Sequence, residues 1–110
     1  MEGLVVVVSC VCSACRVRMQ LPEGGRPVRC HCVGCRKFHM SAFAALLPVP
    51  SLAALADGGS PAAQSHADQC GALGPVERIF CAECHSTLAT RQVATGASFL
   101  ALGSVDDASA

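Results

Sequence analysis

The chain has 110 residues, a formal net charge of zero and nine cysteines, with no Trp, no Tyr and only four Phe. That length accommodates one domain. A neutral balance whose only adjacent basic pair is Arg36-Lys37 argues against nucleic-acid binding through phosphate neutralisation. No apolar run approaches the roughly 20 residues that a membrane helix needs.

Hydrophobic residues make up 52% of the chain, but much of that is Ala, Val and Cys. Such side chains bury little area each, so the core is thin and needs a staple. The cysteines can supply it as disulfides or as metal ligands. An odd number cannot pair completely within one chain. Met1-Glu2-Gly3 carries an acid where a secretory signal has positive charge, and the apolar run that follows is too short for one. The spacing Cys-x-Cys occurs twice and Cys-x-x-Cys three times. Neighbouring thiols of this kind suit one metal ion better than several unstrained disulfides. The expectation is a cytoplasmic metal protein, whose thiols stay reduced and free to bind.

Residues 4–11 are rich in β-branched side chains and predict a buried strand. Residues 16–21 alternate polar with apolar and predict a half-exposed strand. Pro22-Glu23-Gly24-Gly25 reads as a turn. Residues 30–35 form a compact thiol cluster, a strand end followed by a knuckle turn. Residues 41–49 predict a core strand, and residues 52–56 one or two helical turns before Asp57-Gly58-Gly59. Residues 60–74 show no periodicity and read as a long loop. Residues 76–80 predict a strand leading into a second knuckle. Residues 87–93 and 98–102 are strand candidates around Gly96. The pattern is mainly β, with residues 1–110 forming a single zinc-binding domain.

Three cysteine groups organise the chain: Cys10-Val11-Cys12 with Cys15, Cys30-His31-Cys32-Val33-Gly34-Cys35, and Cys81-Ala82-Glu83-Cys84. Residues i and i+2 of a strand share a face, so Cys10 and Cys12 can chelate together. A structural zinc needs four ligands at about 2.3 Å from each sulfur. Cys10, Cys12, Cys81 and Cys84 can provide them. Cys12 and Cys15 with Cys81 and Cys84 make an equally good zinc-ribbon spacing, and spacing alone does not choose. The middle group has three thiols, the pattern of a catalytic zinc with an open position. His31 or His39 could close it, which would make it structural. The group spans six residues and closes no long loop, so losing its metal is expected to cost little stability. Cys15 and Cys70 are left over and read as buried free thiols.

The segments Ser9-Cys10-Val11-Cys12, Cys30-His31-Cys32-Val33-Gly34-Cys35-Arg36-Lys37 and Phe80-Cys81-Ala82-Glu83-Cys84 carry a resemblance. With Phe43, Pro48, Pro50, Leu88 and Gly103-Ser104-Val105-Asp106-Asp107, the chain resembles the glutathione-dependent formaldehyde-activating (GFA) enzyme family, which includes centromere protein V. The resemblance implies a β-tent (Mss4-like) fold of stacked antiparallel sheets with two zinc sites. It gives Cys10, Cys12, Cys81 and Cys84 to a structural zinc, and Cys30, Cys32 and Cys35 to a catalytic one. It implies a carbon–sulfur lyase that adds a thiol such as glutathione to formaldehyde or a similar small aldehyde. Relatives often have Gly where this chain has Ser13, Met40 and His85, positions where Gly would supply a positive φ. They commonly run on with another strand past Asp107, so the domain reads as C-terminally short.

Three thiolates on Zn²⁺ leave a net charge of −1, and a bound glutathione thiolate would make it −2, so positive charge is needed nearby. Arg36 and Lys37 are the expected source, or the holders of a glutathione carboxylate. Two other classes fit the same cysteines. One is a non-catalytic zinc module that mediates a protein interaction. The other is a thiol redox or zinc-buffering protein.

Overall fold

The computed structural model describes residues 4–21, 25–56 and 59–106. Pro22 to Gly24, Asp57, Gly58 and Asp107, which carry parts of the expected turns and tail motif, lie outside the described residues. Strands β1 (Leu4–Ser9) and β2 (Arg16–Leu21) form an antiparallel pair, with Val6 opposite Met19 and Val8 opposite Val17. The other six strands are β3 (Val28–Cys30), β4 (Ala44–Val49), β5 (Ala63–Cys70), β6 (Gly74–Cys81), β7 (Thr87–Gln92) and β8 (Ser98–Ala101). They build one antiparallel sheet in the order β3-β4-β8-β7-β6-β5. Two short helices, α1 (Val33–His39) and α2 (Ala53–Ala56), precede and follow β4.

Strand alternation gives this sheet a core on each face. On one face Leu47, Val49, Ile79, Ala89 and Leu100 pack with Val6, Val8, Met19 and Leu21 of the small sheet and with Leu52 and Leu55 around α2. On the other face Ala44, Leu46 and Val76 pack with Cys35 of α1 and with Cys70. Strands β4 and β6 therefore serve both sides. In β6, Cys81 belongs to the first core and Val76 to the second.

The strands expected at 4–11, 16–21, 41–49, 76–80, 87–93 and 98–102 are all present, with ends moved by a few residues. β1 stops at Ser9, and Val11 beyond it is 90% exposed. Two expectations are corrected. Residues 60–74 are not a loop, because 63–70 form β5, paired along its whole length with β6. This is one of the sheet's two edge strands, and its exposed positions are polar apart from Ala67. Apolar alternation is therefore absent, and pairing with β6 imposes the strand. The second correction is α1, which extends the expected knuckle into a helix. Its N-cap is Cys32, whose sulfur accepts from the Cys35 N–H at 3.4 Å. The usual Ser, Thr, Asp or Asn signal is thus missing from the sequence.

Ser13, Met40 and His85 have φ values of 66°, 51° and 62°. These are the three positions where the family resemblance implied Gly. Each closes a cysteine turn: Ser13 N–H donates to the Cys10 carbonyl, His85 N–H to that of Cys81, and Met40 ends α1. A left-handed L-residue costs roughly 1–2 kcal/mol, against about 0.5–1 kcal/mol of extra backbone entropy lost by Gly. Met40 is 87% exposed, so its side chain packs on little. Met40→Gly is therefore expected to raise stability by about 0.5–1 kcal/mol, read by denaturant unfolding of the metal-loaded protein.

Candidate metal centres

All nine cysteines are free thiols, and eight of them gather into two groups of four. Within each group the four sulfurs lie within 4.8 Å of one another. A tetrahedral zinc with sulfur at about 2.3 Å sets its ligands about 3.8 Å apart. Sulfur separations in the two groups fit that edge.

The first group is Cys10, Cys12, Cys81 and Cys84. Cys10 and Cys12 follow β1, Cys81 ends β6, and Cys84 lies in the turn before β7. The sulfurs of Cys10 and Cys12 are 3.5 Å apart, and those of Cys12 and Cys81 are 3.8 Å apart. Cys15 lies outside the group, fully buried, with burial pushing its thiol up to about 12. Its backbone takes part instead: the Cys15 N–H donates to the Cys10 sulfur at 3.3 Å, and its carbonyl accepts from the Cys10 N–H. The hydroxyl of Ser86, 3.0 Å from the Cys84 sulfur, is the main cause that brings the Cys84 thiol down to about 5. Ser86 also accepts from the Val11 N–H, tying the two halves of the centre together.

The second group is Cys30, Cys32, Cys35 and Cys70. Cys30 ends β3, Cys32 caps α1, Cys35 lies in its first turn, and Cys70 ends β5. Cys70 lies 3.7 Å from the sulfur of Cys30, and 3.8 Å from those of Cys32 and Cys35. This corrects the three-thiol reading of the middle cluster: a fourth thiol is present, and it is Cys70. Neither histidine takes that place. His31 is exposed and packs its ring on Phe43, while His39 packs edge-on against Phe38. The signal for Cys70 was arithmetic: a cluster one ligand short, and two cysteines left over. Its strand was hidden in the stretch that read as a loop.

Two glycines let the β5–β6 turn approach α1. A Cβ on Gly34 would come within 2.4 Å of the Gln69 carbonyl oxygen, and one on Gly71 within 3.0 Å of the Cys32 Cβ. The backbone beside Cys70 therefore lies directly against the backbone of the knuckle.

Cys70 also overturns the expectation that the second centre closes no long loop. It joins residues 35 to 40 positions apart, against 69 for the first centre. Loop-closure entropy changes by only about 0.6 kcal/mol per doubling of length. Both centres are staples of similar strength on that measure.

Arg78 lies behind the second group. It is fully buried, with Nε 2.9 Å from an Asp68 carboxylate oxygen and Nη1 donating to Cys35 Sγ at 3.4 Å and Thr90 Oγ1 at 3.0 Å. Burial works against its charge, but Cys35 and Asp68 outweigh that and hold its pKa above the usual value. Burial pushes the Cys35 thiol up despite Arg78. Cys32 goes the other way. Burial raises it, but N–H groups of Gly71 and Cys35 and the neighbouring sulfurs bring it down to about 6. The expected cations, Arg36 and Lys37, are exposed in the last turn of α1, where they complement the helix dipole. The cation in contact with a cluster sulfur is Arg78. Nothing local to residue 78 signals this, because an Arg inside a β-strand reads as a solvent-facing residue.

On the same face of the sheet, Phe38, His66, Phe80, His85 and Thr87 line an open cleft of about 260 Å³. The rings run in series, Phe38 to His66 at 5.9 Å, His66 to Phe80 at 5.6 Å and Phe80 to His85 at 6.3 Å. Arg78 connects cleft and cluster, since its guanidinium lies 5.3 Å from the Phe38 ring centre.

A protein-family model described as glutathione-dependent formaldehyde-activating enzyme matches residues 5–110. No curated protein and no solved structure matches the chain.

The geometry separates Cys10 from Cys15. Cys10→Ala is expected to lose one metal ion per chain and the cooperative unfolding transition. Cys15→Ala should keep both ions and cost about 1–3 kcal/mol for one small buried side chain, because its ligand-supporting groups are backbone. Elemental analysis with thermal melts checks both. Gly34→Ala should lower metal affinity at the second centre alone, since the Gln69 carbonyl must move and Cys70 with it. A chelator titration of variant and parent reads that difference, and equal affinities would contradict the close approach.

Proposed function

The chain belongs to the glutathione-dependent formaldehyde-activating enzyme family, and on that premise we propose that it is a zinc-dependent carbon–sulfur lyase. In this reading it joins a small thiol such as glutathione to formaldehyde or a similar aldehyde, and holds two Zn²⁺ in a β-tent fold. The observation that carries the reading is the second sulfur group, backed by a buried arginine and sharing a face with the open cleft. Zinc, when bound there, supplies the positive charge that keeps sulfur deprotonated and nucleophilic. Four-sulfur groups of this kind select soft tetrahedral metals.

The chain's own residues have separable tasks. Cys30, Cys32 and Cys35 hold the catalytic centre from one short segment. Cys10, Cys12, Cys81 and Cys84 hold the structural one. Arg78 neutralises part of the second centre's negative charge from inside, where screening by solvent is weak. Arg36 and Lys37 on the exposed side of α1 take a glutathione carboxylate. The ring-lined cleft receives the part of the substrate remote from sulfur. In the reaction itself the thiol sulfur forms a bond to the carbonyl carbon. The carbonyl π electrons pass to oxygen, which takes the proton that the thiol gave up. The lyase direction is the reverse.

One observation favours a second reading. Both groups contain four thiols, and a site closed by four protein ligands is the structural pattern. A non-catalytic zinc module would then be the better description.

Exchange NMR of glutathione with formaldehyde, with and without the zinc-loaded protein, decides between them. The lyase reading expects faster adduct formation than the spontaneous reaction, and loss of that acceleration in Cys32→Ala, which should retain one zinc and a folded first core. No acceleration by the parent protein would leave the structural module. Because Cys70 closes a long loop, Cys32→Ala is also expected to lose stability, by about 3–4 kcal/mol on the analogy of a cross-link of that span.

A further inference from the structure

Building on the reading that this protein acts on small thiols, we propose that an outside thiol enters the second centre by replacing Cys70, not by adding to an open position. Cys70 lies 3.7 to 3.8 Å from each of the other three sulfurs, Cys30 and Cys32 are 3.6 Å apart, and all four lie within 4.8 Å of one another, so four sulfurs already surround the centre as a tetrahedral ligand set would. Charge makes the same point. Four thiolates around a divalent ion leave −2, and Arg78 cannot offset more because Asp68 holds it at 2.9 Å. A fifth sulfur anion would deepen that charge at a group whose two inner members, Cys35 and Cys70, are buried. Exchange of one thiolate for another leaves the charge as it was.

The structure also distinguishes which sulfur gives way. The Cys32 sulfur caps α1 by accepting from the Cys35 N–H, so its departure would uncap the helix. The Cys35 sulfur accepts from Arg78, so its departure would strip a buried guanidinium of a partner, and Nη2 of that group already lacks one. Cys30 and Cys35 also bracket Cys32 in one six-residue segment, which holds all three together. Among the described residues, the polar partners of the Cys70 sulfur are the other three sulfurs alone, and the rest of its surroundings are the apolar side chains of the second core. It stands at the last residue of the edge strand β5, before a three-residue turn. Its movement breaks no hydrogen bond to nitrogen or oxygen. The half-buried Cys30 and Cys32 leave the rim of the group within reach of solvent.

The exchange balances. The incoming thiol gives up its proton, and Cys70 leaves as a neutral thiol carrying one. One metal–sulfur link breaks and one forms, with no oxidant or reductant involved. Cys70 is thereby an internal competitor that sets the thiol concentration at which the centre responds.

Cobalt(II)-loaded full-length protein tests this without relying on activity. In the parent, thiolate-to-cobalt charge transfer should correspond to two four-sulfur ions and stay constant as glutathione is added. Cys70→Ala should lose about a quarter of the second ion's intensity, and glutathione should restore it. Equilibrium dialysis should show one glutathione per chain, bound at least about tenfold more tightly by Cys70→Ala, because the competitor is gone. If Cys70→Ala fails to fold or holds one cobalt only, Cys70→Ser is read instead, with the same direction of change. An unchanged spectrum in a folded, doubly loaded variant would show that Cys70 is no ligand and overturn the proposal. Equal glutathione affinity in parent and variant would overturn it as well. Expected spectra and affinities, with no adduct formation by any variant, would remove the lyase reading while upholding the replacement.

Discussion

Four sulfur atoms held about 3.8 Å apart repel one another as thiolates until a cation lies among them. This chain builds that arrangement twice, on opposite faces of one six-stranded sheet. The rest of the architecture follows from it. The described buried apolar side chains include no aromatic ring, so burial alone gives each face a modest core. The first group fastens β1 and the small sheet to the end of β6, and the second fastens α1 to the end of β5. Each ties segments distant in sequence, so an ion held by either group would couple metal binding to folding on its side of the sheet.

The two centres are less different than a division into structural and catalytic suggests. In each the four sulfurs lie within 4.8 Å of one another, and the loops they close differ little in entropy. Each also has at least one sulfur in reach of solvent. What sets the second apart is its surroundings. Arg78, Asp68 and Thr90 form a buried polar network against Cys35, and the guanidinium extends to Phe38 at the edge of the cleft. A fully buried Arg costs several kcal/mol in desolvation unless anions meet it. Its place beside a negatively charged sulfur group gives it a partner that no apolar residue could supply.

Much of this was legible in the chain. Cys-x-Cys and Cys-x-x-Cys spacings identify metal ligands because local backbone geometry alone brings such thiols together. β-branched and apolar runs marked most strands, and period-two alternation marked residues 16–21, because a side chain's face in a strand depends only on its parity. The resemblance implied Gly at Ser13, Met40 and His85, and the structure holds all three at positive φ. What remained hidden shares one property. β5 has no apolar alternation, and α1 is capped by a metal-group sulfur, so neither advertises itself through propensity.

Local sequence thus determined the knuckles, the alternation of the strands and the need for a metal. Tertiary structure alone decided that Cys70 joins the second group, that Cys15 offers its backbone to the first, and that Arg78 is the cation touching a cluster sulfur while Arg36 and Lys37 are exposed. The reason is physical. A ligand or counter-ion is chosen by distance in space, and Cys70 and Arg78 are carried to the cluster by the register of β5 on β6 and by two glycines that permit close approach. Nothing in the residues adjacent to Cys70 encodes that register, since it is fixed by pairing along the whole hairpin and by the faces that the sheet must bury.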